Sequence, residues 1–396
     1  MTTDRDADRF GPTMPEPPAA PNSAKGPTRA MVRNLVRTEV IPHVADYDRR
    51  EELPQRLWQV VADHGLLAPF LPPDLGGHGM DLVRLTALHE EIGRGCSSLR
   101  SLLTAHSMVC QAVWRWGGDE QRARWLPWLA TGRCTAGFAL TEPGGGGAQA
   151  RVTGTTATRT PTGWSLRGHK KWITGGTLAT IFLVFAGTDQ GVTAFLVPAG
   201  APGVTVTAQR GLLGVRASMT AEVVFAGVEV SEDALLGPVG WAEPTVMSSA
   251  LTLGRLSVAA GCVGMLQACL DASTAHARRT GHGRPPLSDH QLIRRMISDM
   301  VTATVAARTL CERAATLADA GDPQTVGATW IAKYFASTAA ARAATDAVQI
   351  HGAEGCLDGH PVARLYRDAK IMEIIEGSTE MQQLHIAVEG HREPTS

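Results

Sequence analysis

The chain has 396 residues, 44% hydrophobic and 19% charged, with 37 basic side chains against 38 acidic ones. That length predicts two or three packed units with a large core, and the near-zero net charge argues against a nucleic-acid-binding or membrane-surface protein. No uninterrupted apolar run of membrane-spanning length stands out, and the seven cysteines form no CxxC pair, which predicts reduced thiols in a cytoplasmic protein and no metal site.

Residues 1–29 are rich in Pro, Ala and polar side chains without an apolar signal core, and read as a flexible tail. From 30 to 132, the segments MVRNLVRTEVIPHVADYDRR, PQRLWQVVADHGLL, DLVRLTALHEEIGRG, SSLRSLLTAHSMVCQAVWRWG and DEQRARWLPWLATG space their apolar residues by three and four. They predict an N-terminal α-helical domain, broken by a loop at LPPDLGGHGMD. Between 133 and 240 the texture changes to short β-branched runs such as GWSLRGHKKWIT, TIFLVFAGT and AEVVFAGVEV, which predict an antiparallel β domain. Helical spacing returns from 241 to 390, over 247–280, 289–320, 323–351 and 362–375. The expected fold class is α+β, with the sheet between two helical units.

Several residues invite a chemical reading. In FALTEPGGGG (138–147) a strand runs into four glycines, which permit either a mobile turn or close approach of backbone to a ligand. Trp172 in GHKKWITGG (168–176) is a half-buried core aromatic or the wall of a site. Arg100 in SSLRSLLTAH is a surface charge on the polar face of a helix, or a group that reads a polar ligand. Glu376 in IMEIIEGST follows two isoleucines and precedes a glycine; it is a solvated helix-end carboxylate or a base in an apolar pocket.

With GLLGVRASMTAEVVFAGVEVSEDALLG (211–237), VQIHGAEG (348–355) and YRDAKIMEIIEGST (366–379), these blocks resemble the acyl-CoA dehydrogenase family of flavoproteins. The resemblance runs from about residue 30 to 390. It implies an N-terminal helical domain, a middle antiparallel β domain, a C-terminal four-helix bundle, bound FAD and a homodimer or homotetramer. Leu140, Thr141, Gly146, Gly147, Trp172 and Thr174 would contact the flavin, with Ser378 and Glu380 beside it. Arg279, Gln349 and Gly352 match the residues that reach a neighbouring subunit's FAD. The pattern departs where Gly147 and Ala148 replace Ser-Asp, where Ala353 replaces a glycine, and where RTGHG replaces RxxFG.

Glu376 matches the family's base, which takes the proton beside a thioester carbonyl while a hydride leaves to the flavin. Arg100, Ser101, Thr104, Arg255 and Gly377 fall at substrate positions. GCSSLRSLLTAHSM, GRLSVAAGCVGMLQACL and DAKIMEIIEGSTEM look particularly like the subgroup that oxidises short polar acyl groups on an acyl carrier protein, in pathways to hydroxymalonyl- or methoxymalonyl-type polyketide extender units. The expected partners are that thioester and an electron acceptor. The rival readings are a catabolic short-chain acyl-CoA dehydrogenase, a flavin monooxygenase of the same fold, and a flavin-less scaffold.

Overall fold

A computed structural model describes residues 26–145, 154–279 and 285–390. Gly146, Gly147 and most of the expected tail lie outside them.

Helix α1 (Arg29–Leu35) starts at Thr28, whose hydroxyl accepts from the Met31 amide at 3.2 Å. The sequence predicts one helix over 31–50, but α1 passes into a π turn (Val36–Val40) and breaks before α2 (Val44–Arg50). Pro42 stands in the break, where its missing N–H cannot continue the ladder. Then come α3 (Gln55–Asp63), α4 (Leu82–Gly95), α5 (Ser97–Trp116) and α6 (Asp119–Ala130). Every residue of α5 from Ser97 to Cys110 is buried, polar ones included.

The strands are β1 (Ala136–Ala139), β2 (Thr156–Thr160), β3 (Gly163–Ile173), β4 (Ile181–Thr188), β5 (Gly191–Pro198), β6 (Val204–Ala208), β7 (Ala221–Ser231) and β8 (Leu235–Leu236). They form one sheet in the order β6-β7-β3-β2-β4-β5-β8, with β1 beside β4. The sheet is not wholly antiparallel as expected. β1 pairs with β4 in parallel, and β2 meets β4 in parallel at Thr156–Gly187. The β2–β3 hairpin takes up the long connection that parallel neighbours require. β4 is apolar throughout because both faces are covered. Leu183 and Phe185 join the core shared with the N-terminal helices, while Phe182 and Val184 pack with Trp164, Phe195 and Phe225.

Helices α7 (Ser248–Ala277), α8 (Gln291–Asp319), α9 (Thr325–His351), α10 (Pro361–Met372) and α11 (Thr379–Gly390) complete the described chain. Against expectation, one helical stretch, Glu243–Ala277, is long and apolar enough to cross a membrane by length and composition. It is mostly buried, and α7 packs on α4, α5, α8 and α9, which accounts for its apolar character on all sides. α10 stops at Met372, short of the expected 375, and the loop before β7 fixes its course: the Val215 amide donates to Asp368 Oδ1 at 2.6 Å.

Candidate active site

Between α10 and α11 the chain turns through Glu376, at φ 55°, and Gly377, at φ 95°. Positive φ is routine for glycine and uncommon for glutamate. Donors from three helices hold this turn. The Glu376 carbonyl accepts from Arg255 Nε of α7 at 3.3 Å and Gln382 Nε2 of α11 at 3.1 Å. The Gly377 carbonyl accepts from Lys333 Nζ of α9 at 2.6 Å and Gln382 Nε2 at 3.3 Å.

The Glu376 side chain turns inward. Its Oε2 is shut off from solvent and has no hydrogen-bond partner among the described residues. It lies against Gly254, where an added Cβ would sit 2.8 Å from Glu376 Oε2 and 2.8 Å from Met108 Sδ. Burial pushes the carboxyl above its ordinary pKa, although Arg255, Arg100 and Lys333 pull the other way. The solvated helix-end reading is therefore removed. Of the expected aliphatic flanks, Ile374 is 55% exposed and Ile375 is half-buried against the helical core; Met108 and Gly254 lie beside the carboxylate, with Arg255, Arg100 and Lys333 acting on it.

Arg100 is 1% exposed, which overturns the surface-charge alternative. Its Nη1 donates to Thr104 Oγ1 at 2.9 Å and its Nη2 to Ser101 Oγ at 2.7 Å, with Met372 Sδ 3.2 Å away. Thr104 Oγ1 meets Ser257 Oγ at 2.5 Å, and Ser257 Oγ meets His89 Nδ1 at 2.7 Å. Burial, helped by the Arg100 charge, pulls His89 down to about 3, so its imidazole is neutral. The stem of Arg100 crosses Gly261, where an added Cβ would come within 2.3 Å of its Cδ. Among the described residues Arg100 has only neutral acceptors, an expensive state for a buried cation. Such a site suits an anionic or strongly polar group.

A separate wall stands where β1 and β3 end. The Thr141 carbonyl accepts from the Lys171 amide at 2.8 Å. Lys170, fully buried, donates to the Leu140 carbonyl at 3.0 Å and to Glu142 Oε1 at 2.8 Å. Glu142 also accepts from the amides of Gly154 at 2.8 Å and Thr155 at 2.9 Å, so one carboxylate ties both ends of the glycine segment. Burial raises the Glu142 carboxyl, but Lys170 and these donors outweigh it and hold it below its ordinary pKa. Trp172 is not a core aromatic: it is 51% exposed, at φ 62°, and its amide donates to Gln209 Oε1 at 3.2 Å. A bulky side chain held in left-handed backbone with its ring outward fits a flat apolar ligand laid on it. Thr174 is half-buried just beyond. This wall fits a flavin ring.

The remaining candidates are not brought to this pocket. Arg279 and Gln349 are exposed near the C-terminal ends of α7 and α9, joined there by the His276 and His351 rings, 4.3 Å apart. Gly352 ends α9 at φ 62°. The stretch of α9 from Lys333 to Gln349 is roughly 24 Å long at about 1.5 Å per residue. Ser378 and Glu380 open α11; Ser378 Oγ accepts from the Met381 amide at 3.4 Å, and Glu380 is exposed.

Sequence reasoning missed Lys333, Met108, Ser257, His89, Gln382 and the Lys170–Glu142 pair. A signal existed for two of them. Lys170 falls on the same strand alternation as Trp164 and Leu166, and Lys333 is a lone charge in GATWIAKYFASTAAA.

Three family profiles match in order: acyl-CoA dehydrogenase N-terminal domain over residues 26–133, middle domain over 137–228 and C-terminal domain over 240–390. The mitochondrial short-chain specific acyl-CoA dehydrogenase of Bos taurus is 36% identical over 369 residues, covering 92% of this chain and 88% of that protein. Among solved structures, FkbI, described as acting in biosynthesis of the methoxymalonyl extender unit of a polyketide immunosuppressant, aligns with a TM-score of 0.84 and 35% identity, over 92% of this chain and 99% of its own. A glutaryl-CoA dehydrogenase from Mycobacterium smegmatis in complex with FADH2 aligns with a TM-score of 0.87 and 28% identity, over 92% of this chain and 93% of its own. Matched across all three domains, the chain belongs to the acyl-CoA dehydrogenase family, FAD-dependent oxidoreductases that act on acyl thioesters.

Proposed function

We propose that this protein oxidises a short, polar acyl thioester carried on an acyl carrier protein, in the supply of a polyketide extender unit, with Glu376 as the base. The observation that carries the reading is Glu376 Oε2, closed off from water and without a hydrogen-bond partner among the described residues. The buried Arg100 network supports a polar acyl group, and the 35% identity to FkbI supports a place in extender-unit supply.

Leu140, Thr141, Trp172 and Thr174 would hold FAD, which would supply the two-electron acceptor. Trp172 keeps water from that face. Glu376 Oε2 takes the proton from the carbon beside the thioester carbonyl, and its raised pKa makes it a stronger base than a solvated carboxylate. Arg255, its guanidinium 5.8 Å from the Trp330 ring, steadies the turn through the Glu376 carbonyl. Gly377, at φ 95°, permits the turn that carries the carboxylate, and Arg100, Ser101 and Thr104 receive the polar end of the acyl group.

The 36% identity to the bovine enzyme favours a second reading, a short-chain acyl-CoA dehydrogenase. Anaerobic flavin bleaching separates the two. Polar acyl groups on a carrier protein should reduce the flavin at least about tenfold faster than butyryl-CoA, and the reverse order would establish the CoA reading. On the carrier-bound substrate, Arg100→Leu should lower kcat/KM by roughly ten- to a hundredfold, the worth of a charged hydrogen bond, with FAD content unchanged. No loss would return Arg100 to a purely structural role.

Arg279, Gln349 and Gly352, far from Glu376 in one chain, are assigned to FAD held mainly by a second copy. Light scattering of the FAD-loaded protein should then show a dimer or larger closed assembly. A monomer that keeps its FAD would overturn the assignment.

A further inference from the structure

We infer that Lys333 is a positioning residue for Glu376: its ammonium clamps the turn that carries the carboxylate and supplies the cation set behind it. The inference rests on the reading of Glu376 as the base.

Lys333 lies on the face of α9 that carries Ala332 and Ala336, packed toward α7 and α10, and is fully buried. Its Nζ donates to the Gly377 carbonyl at 2.6 Å and lies 3.4 Å from the Glu373 carbonyl. These carbonyls flank Glu376 on either side. Among the described residues Lys333 forms no ion pair, so its charge is buried against backbone acceptors alone. That state is costly relative to water.

Closing the turn does not by itself require a charge. Gln382 already bonds the Gly377 carbonyl at 3.3 Å, and the Thr379 amide bonds the Glu373 carbonyl at 2.9 Å. The positive charge is what a neutral donor would not provide, and Glu376 is the carboxylate that benefits. The turn also holds Glu376 in left-handed backbone, at φ 55°, a conformation that persists only when its surroundings impose it. Releasing the Gly377 carbonyl would let the carboxylate swing from the Gly254–Met108 wall.

The charged groups facing Glu376 are Arg100 of α5, Arg255 of α7 and Lys333 of α9. On the turn itself Glu373 is paired with Lys370 Nζ at 3.0 Å. The Cys262 thiol beside Lys333 is pushed up by burial to about 12 and stays neutral. Arg255 holds the turn at the Glu376 carbonyl and Arg100 bonds Ser101 and Thr104, so Lys333 is the cation that holds the turn at the Gly377 carbonyl.

The test is an infrared titration of the Glu376 carboxyl in the FAD-loaded protein without substrate, its band assigned by disappearance in Glu376→Gln. Lys333→Met removes charge and donor; Lys333→Gln keeps a neutral donor. In both, the midpoint should rise by about 1–2 pH units, the usual effect of losing an opposite charge nearby. In Lys333→Met the band should also broaden as the carboxylate samples more than one setting. An unmoved midpoint in either folded variant would overturn the inference. So would the failure of both variants to fold, since Lys333 would then serve the fold and not the base. The outcomes stay separable: an active Glu376→Gln enzyme sinks the base assignment, whereas an unmoved midpoint beside an inactive Glu376→Gln enzyme sinks only the role of Lys333.

Discussion

Glu376→Gln is expected to give a folded, yellow protein whose flavin no longer bleaches when substrate is added without oxygen. The amide matches the carboxylate in shape, and Oε2 has no partner among the described residues, so no existing hydrogen bond is broken there. The backbone turn, held by Arg255, Lys333 and Gln382 through carbonyls, is left intact. What disappears is the ability to accept a proton, typically worth about 10²–10⁴-fold in rate. The wild-type rate should fall on acidification, because the base is silenced as pH drops through its pKa. Burial places that limb above the ordinary carboxyl value of 4.5. The residual rate of the variant should lack the limb. Bleaching near the wild-type rate at full FAD content would place proton abstraction on another group.

Lys170→Met should produce the largest loss of stability, about 3–5 kcal/mol, because it removes the cation paired with the buried Glu142 carboxylate. The Lys170 side chain is fully buried and that of Glu142 is 9% exposed, so solvent screens the pair little. Urea unfolding should show a lower midpoint at unchanged slope. The double change Lys170→Met with Glu142→Leu should recover part of the loss, since an apolar pair leaves no buried charge. A loss below about 1 kcal/mol would mean that the partners left to Glu142, the Gly154 and Thr155 amides among them, satisfy it without the lysine. The pair also gives the wild type an acid sensitivity of definite sign. The Glu142 pKa is depressed in the folded protein, so its contribution is complete above the ordinary value of 4.5 and is lost as pH falls through the lower folded value.

Much of this protein was legible in its sequence. Apolar spacing of three and four marked α4, α5, α8 and α9, and β-branched runs bounded by glycine marked β3, β4, β5 and β7, because these patterns record which faces each element buries. Five blocks, over 138–147, 168–176, 211–237, 348–355 and 366–379, led to the family, since they occur together in its order and at its spacing.

Tertiary structure decided the rest. The parallel pairing of β1 with β4 depends on where the intervening hairpin returns the chain, a long-range event that no local pattern encodes. Trp172 faces outward because a bulge between Lys170 and Ile173 resets the strand alternation. The sequence left Arg100 open between a surface charge and a ligand-reading group and did not mark Lys333; both are buried because α4, α7 and β1 cover α5, while α7, α10 and α11 cover α9. A sequence shows that a helix carries a charge, but the burial of that charge is set by the neighbours that close over it, and the chemistry around Glu376 depends on that burial.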